Sequence, residues 1–133
     1  MIGTVVLDTD VASFIFKDDS RVRLYRPHVH GKLWAISFQS VAEFEQWAIL
    51  RHWGERRKKD LEEFLESFVL IPPDRKLCKL WAQVRAEARL QGHPIETADA
   101  WVAATALRYG VPLVTHNRAH FRWVGGLSVI SEA

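Results

Sequence analysis

The sequence predicts an α/β fold: a parallel sheet of four to five strands with helices on both faces. Two observations carry that expectation. Short, β-branched apolar runs alternate along the chain with longer segments of helical periodicity, and strands separated by helices pair in parallel. One segment, Thr97 to Tyr109, is apolar on nearly every side, as a helix buried at the centre of such a fold would be.

Val5-Val6-Leu7 stops at a polar cluster and reads as a buried first strand. Asp10 is positioned to cap a helix from Val11 to about Phe16. Leu33 to Ser37 is a second strand. Ser40-Val41-Ala42-Glu43 has the spacing of a capping box and predicts a long helix reaching Trp53. Gly54 interrupts, and Glu55 to Ser67 resumes with Leu61, Phe64, Leu65 and Phe68 at helical spacing. Val69-Leu70-Ile71, ahead of two prolines, is a third strand. Asp74 can cap a helix carrying Leu77, Leu80, Trp81, Val84 and Ala88 on one face and ending near Gly92. Gly110 terminates the central helix, Val111 to Thr115 is a fourth strand, and Leu127 to Ile130 a fifth.

At 133 residues the chain suits one domain spanning residues 1–133, without internal repeat or linker. Its composition, 48% apolar and 26% charged, is that of a soluble globular protein, and no apolar run approaches a membrane span. The N-terminus lacks the basic start and long apolar stretch of a signal peptide, and the single Cys78 reads as an inert packing residue. A reducing cytoplasm is the expected compartment. The net charge of +2 permits nucleic-acid binding without arguing for it. One basic cluster, Arg51, His52 and Arg56 to Lys59, is interleaved with Glu55, Asp60, Glu62 and Glu63, the pattern of a solvated helical face.

In open α/β sheets, ligands bind outside the carboxyl ends of the strands. Asp8 ends strand one, Glu43 follows strand two, Asp99 opens the central helix and Asn117 follows strand four. These side chains can converge on one sheet edge, where crowded carboxylates need a cation. Hard oxygen donors without cysteine favour Mg²⁺ or Mn²⁺, and such a site can activate water for in-line attack on a phosphodiester. Each residue also has a plain structural reading. Glu43 could complete the capping box, Asp99 could complement the helix dipole, and Asn117 could be a turn residue. Asp8, directly after a buried strand and two residues from a second acid, is the hardest to explain structurally.

The segments bearing these residues resemble the PIN-domain ribonucleases, especially toxins of the VapC type. Val6-Leu7-Asp8-Thr9-Asp10-Val11 is similar to that family's opening acidic motif, and Ile36 to Phe44 to its second, with Glu43 as the acid. Asp99-Ala100-Trp101-Val102-Ala103-Ala104 resembles the third, and Leu113-Val114-Thr115-His116-Asn117 through Phe121 the last. The resemblance implies an acidic pocket binding Mg²⁺ or Mn²⁺, cleavage of an RNA substrate, a homodimer, and a small antitoxin whose tail covers the pocket. Asp8, Glu43 and Asp99 then become catalytic and metal-site carboxylates, with Thr115, Asn117 and Asp10 in support. Arg51, Arg56 and Lys58 become candidates for guiding the RNA backbone. The chain departs from many relatives in carrying a neutral amide at Asn117 and His120 before Phe121, where they place an acid. Glu96 could compensate.

Three other readings fit parts of the chain. Asp8-Thr9-Asp10-Val11 also fits a haloacid-dehalogenase-type phosphatase, but that mechanism needs a downstream Lys and acidic pair, and only Glu132 follows Thr115. A zinc site could use His28 and His30 or His116 and His120. A non-catalytic module of the same fold could bind RNA or protein through the basic helix and aromatic surfaces. Trp81, Trp101, Phe64 and Phe68 are expected in the core, whereas Phe14, Phe44 and Trp47 could face a partner.

Overall fold

The computed structural model describes residues 3–133. Met1 and Ile2, which open the N-terminal stretch read above as lacking a signal peptide, lie outside the described residues.

The chain runs β1 (Thr4–Leu7), α1 (Thr9–Lys17), α2 (Val22–Val29), β2 (Leu33–Ser37), α3 (Phe38–Leu50) and α4 (Glu55–Glu66). It continues with β3 (Val69–Ile71), α5 (Arg75–Leu90), α6 (Thr97–Tyr109), β4 (Leu113–Val114), α7 (Arg118–Phe121) and β5 (Val129–Ile130). The sheet is five-stranded in the order β3-β2-β1-β4-β5, and every neighbouring pair is parallel. Strand order reverses beside β1: the chain first builds outward through β2 and β3, then returns to add β4 and β5 on the other side. That reversal opens a crevice at the carboxyl ends of β1 and β4.

Alternation along the strands explains the two layers of helix. Val5, Leu7, Ile36 and Val114 point to one face and pack with Phe14, Tyr25, Phe44 and Leu61 from α1 to α4. Val6, Ala35, Ile71 and Leu113 point to the other and meet Val84, Ala88, Ala100, Ala103 and Ala106 from α5 and α6. Helix α6 is as enclosed as its composition predicts: Ala100, Ala103, Ala104, Thr105 and Ala106 have no solvent exposure. Its small side chains let it lie close against both the sheet and α5. Asp74 caps α5 as expected, accepting from Leu77 N at 2.7 Å.

Several local expectations are corrected. Asp8, not Asp10, is the N-cap of α1, because that helix begins directly after β1. Ser37, not Ser40, caps α3, its hydroxyl accepting from Gln39 N, so no capping box engages Glu43. Strand β4 covers Leu113–Val114 and β5 covers Val129–Ile130, each shorter than its apolar run. Cys78 is exposed rather than packed, one position round α5 from buried Leu77. Trp81, Trp101 and Phe64 are half-buried around the core rather than within it. Helix α2, with Pro27 inside it, and the single turn α7 were not anticipated.

The tight seat of α6 sets a prediction. Ala103→Leu adds methylenes where the structure has no room and should cost about 1–3 kcal/mol. Urea unfolding followed by circular dichroism checks it, and an unchanged midpoint would contradict the described packing.

Candidate active site

Strand β1 delivers Asp8 to the crevice and the turn into α1 fixes its carboxylate. Oδ1 accepts from Thr9 N at 2.8 Å, and Oδ2 accepts from the Thr115 hydroxyl at 2.8 Å. Thr115 follows β4, the strand beside β1, so the bond bridges the point where strand order reverses. Asp10 lies in the first turn of α1. Its Oδ1 accepts from Val11 N at 2.7 Å and its Oδ2 from His116 N at 3.1 Å, which ties the loop after β4 to the same helix end.

Glu43 stands in the second turn of α3, half-buried, with Oε1 accepting from Gln39 Nε2 at 3.2 Å. Asp99 opens α6, and its Oδ2 lies 2.9 Å from His120 Nδ1. Asn117 directs its backbone N–H to the Thr115 hydroxyl at 3.0 Å, while its side-chain Nδ2 lies 3.0 Å from His120 Nδ1. Glu96 precedes α6 and makes no cap hydrogen bond. Asp8, Asp10, Asp99 and Glu43 thus come from α1, α3 and α6 to one end of the sheet.

The basic candidates lie elsewhere. Arg51 follows the last residue of α3 and sits over Trp47, about 12 Å along the helix axis from Glu43. Arg56 pairs with Asp60 at 3.6 Å and Lys58 with Glu55 at 3.7 Å, as a solvated helical face does. The histidines do not share a site. His28 pairs with Glu132, His116 Nδ1 with the Tyr25 hydroxyl, and His120 with Asp99.

Sequence reading named Thr115 but missed the Thr9 and Ser40 hydroxyls, which join the helices that bear the acids. The Thr9 hydroxyl donates to Ser40 Oγ at 2.8 Å, joining the first turns of α1 and α3 where both are buried. Their signal is a small hydroxylated residue close to an acid, Thr9 between Asp8 and Asp10 and Ser40 three residues before Glu43. It also missed His120 as the partner of Asp99.

The electrostatics show mutual repulsion. Burial, reinforced by the Asp10 charge and more weakly by Asp99, pushes Asp8 up to about 7, against the opposing hydrogen bonds from Thr115 and Thr9. Burial also raises Asp10 and Asp99; the Asp99 charge adds to the first, and Glu43 and Glu96 to the second. His120 works the other way on Asp99. Among the described residues no three acidic, His or Cys side chains are gathered closely enough to cage an ion as they stand, each carboxylate being turned onto a protein donor. The donor set nonetheless fits a hard divalent cation. It is all carboxylate oxygen, and the acidic charge gathered there favours a cation.

Comparison with known proteins points the same way. The PIN domain pattern matches residues 5–127. The tRNA(fMet)-specific endonuclease VapC of Shigella flexneri is 28% identical over 122 residues, covering 92% of each chain. Toxin FitB of Neisseria gonorrhoeae is 30% identical over 93 residues, 65% of this chain and 66% of that one. Among solved structures, FitAcB from Neisseria gonorrhoeae superposes with a TM-score of 0.80 at 25% identity over 96% of both chains. VapBC2 from Rickettsia felis, bound to a promoter DNA fragment, reaches 0.84 at 21% identity over 98% of this chain and 99% of that one.

The raised acid leaves a pH signature. Asp8 favours folding in its neutral form, so its contribution is fully present below the ordinary value of 3.8 and is lost as pH rises to about 7. In chelator, the chain should therefore melt at lower temperature at pH 8 than at pH 5. Asp8→Asn, which cannot ionise, should shallow that slope by up to about 1.4 kcal/mol per pH unit and melt above wild type at pH 8. Calorimetry across the pH series checks this, and equal slopes in the two proteins would contradict it.

Proposed function

The chain belongs to the PIN domain family, and on that premise we propose that it is an Mg²⁺- or Mn²⁺-dependent endoribonuclease, the toxin half of a toxin–antitoxin pair. The observation that carries this reading is the convergence of Asp8, Asp99 and Glu43 at one sheet edge, where burial, with neighbouring acidic charge behind it, raises Asp8 and Asp99. Folding gains nothing from that repulsion. Relatives named as VapC ribonucleases, matched over 92% of the chain, and as a toxin, matched over 65%, support it. The antitoxin partner is supported by neighbouring structures described as a toxin–antitoxin complex and as a member of a family of toxin–antitoxin systems. The homodimer and cytoplasmic location expected from the family belong to the same reading.

Asp8, Asp99 and Glu43 would hold the cation. When bound, it supplies positive charge at the scissile phosphate and makes water more acidic. Thr115 orients Asp8 by donating to Oδ2, and Asn117 holds the Thr115 hydroxyl in turn. Both Asp10 oxygens already accept backbone N–H groups, so Asp10 serves to set the shape of the crevice. Glu43 accepts a side-chain bond at Oε1, which leaves Oε2 to take the proton of the attacking water. Glu96 adds negative charge beside Asp99. Arg51, Arg56 and Lys58, at the far end of α3 and on α4, would steer RNA flanking the cleaved bond and make binding salt-dependent.

The test is cleavage of a mixed RNA pool by wild type and Asp8→Asn, with and without Mn²⁺. Metal-dependent cleavage should be lost by at least about a hundredfold in Asp8→Asn, with Asp99→Asn and Glu43→Gln similarly impaired. Equal activity of wild type and Asp8→Asn would overturn the mechanism. Inactivity of wild type towards every RNA would favour a binding module.

A further inference from the structure

A cavity of about 400 Å³ opens beside the acidic site and shares Asp99 and His120 with it. Its other walls include Glu96, Pro94 and Trp123. Trp123 is 48% exposed, and its ring stacks on the exposed imidazole of His93, with centroids 4.0 Å apart and planes 4° from parallel. We propose that this cavity is a nucleobase subsite, selective for guanine, for the nucleotide next to the cleaved bond. The proposal rests on the ribonuclease reading and adds to it a base preference.

Three features select the occupant. A flat imidazole–indole pair at the cavity is a stacking platform, and base–aromatic stacking is the common means of holding an unpaired nucleotide. Two carboxylates, Glu96 and Asp99, line the same space and repel anions, so the occupant is a neutral ring rather than a second phosphate. Glu96 is exposed and makes no cap bond, so its carboxylate is available purely as an acceptor. Guanine presents N1–H and N2–H₂ side by side, two parallel donors that one carboxylate can take together. Adenine and cytosine each set a ring acceptor beside their amino group, and uracil flanks its single N–H with two carbonyls. Those edges place lone pairs against the carboxylate. The shared wall at Asp99 and His120 puts the base next to the reacting phosphate, and only an unpaired base can enter.

The stack could instead serve only to pin the loop between α5 and α6 to the segment after α7, so the test must read base identity. Labelled single-stranded RNA heptamers differing in one central base are titrated by fluorescence anisotropy against full-length Asp8→Asn, alone and combined with Trp123→Ala, Trp123→Phe or Glu96→Gln. Circular dichroism confirms that each is folded. The guanine heptamer should bind about tenfold tighter than the uracil one. Trp123→Ala should weaken it about tenfold, with most of the loss rescued in Trp123→Phe. Glu96→Gln should erase the preference, weakening guanine binding and tightening that of uracil as the opposed lone pairs are relieved. Equal affinity for all four bases, no binding of any heptamer, or a preference that survives both Trp123→Ala and Glu96→Gln would overturn the subsite. Failure of wild type to cleave RNA, with the guanine preference intact, would instead sink the nuclease reading and leave the subsite standing.

Discussion

Burying a carboxylic acid at the end of the central strand is the constraint around which this molecule is built. Asp8 is 7% exposed and has two other acids near it, a placement that opposes folding at neutral pH. It is tolerated because the surrounding chain supplies donors: the first amide of α1 and the hydroxyl of Thr115. Both donors depend on topology. The amide is there because α1 starts without a loop, and the hydroxyl because β4 lies beside β1 rather than at an edge. If either element moved by one residue, the acid would lose a partner in a place that water scarcely reaches.

Hydroxyl groups do the rest of the positioning. Thr9 and Ser40 join α1 to α3, so the helices bearing Asp10 and Glu43 share one fixed origin. Tyr25 connects α2 to the loop after β4 through His116, and it also receives the amide of Glu132. The chain's last residues therefore fasten onto a helix that also touches the site's back wall, with His28 and Glu132 adding a second tie at 2.7 Å. A site made of mutually repelling groups gains rigidity from these connections around it.

Much of this was legible in the sequence, and the failures have physical causes. The apolar runs of β1, β2 and β3, the Asp74 cap and the all-round apolarity of α6 each left a pattern that matches its element. Asp8 and Asp99 were legible because one directly follows a strand and the other sits in the first turn of a helix, whereas Glu43, in the second turn of α3, was picked out by the motif around it. Helix starts were misread where strand and helix abut: Asp8 and Ser37 each end a strand and cap a helix, so the caps were sought two or three residues too late. Helix α2 escaped notice because Arg21 provides no side-chain cap, Pro27 argues against helix, and only Tyr25 and Val29 are buried. The pairing of His120 with Asp99 spans a turn whose shape no periodicity encodes.

The bond from Thr115 to Asp8 closes over 107 residues of chain. During synthesis β1 is made long before β4, the strand that completes the crevice, and contacts so distant in sequence form late. A nascent chain, held within reach of ribosomal, transfer and messenger RNA, therefore carries its acids on an unfinished sheet edge. The acidic crevice is therefore completed only once β4 can pair with β1, long after the acid that it orients has been made.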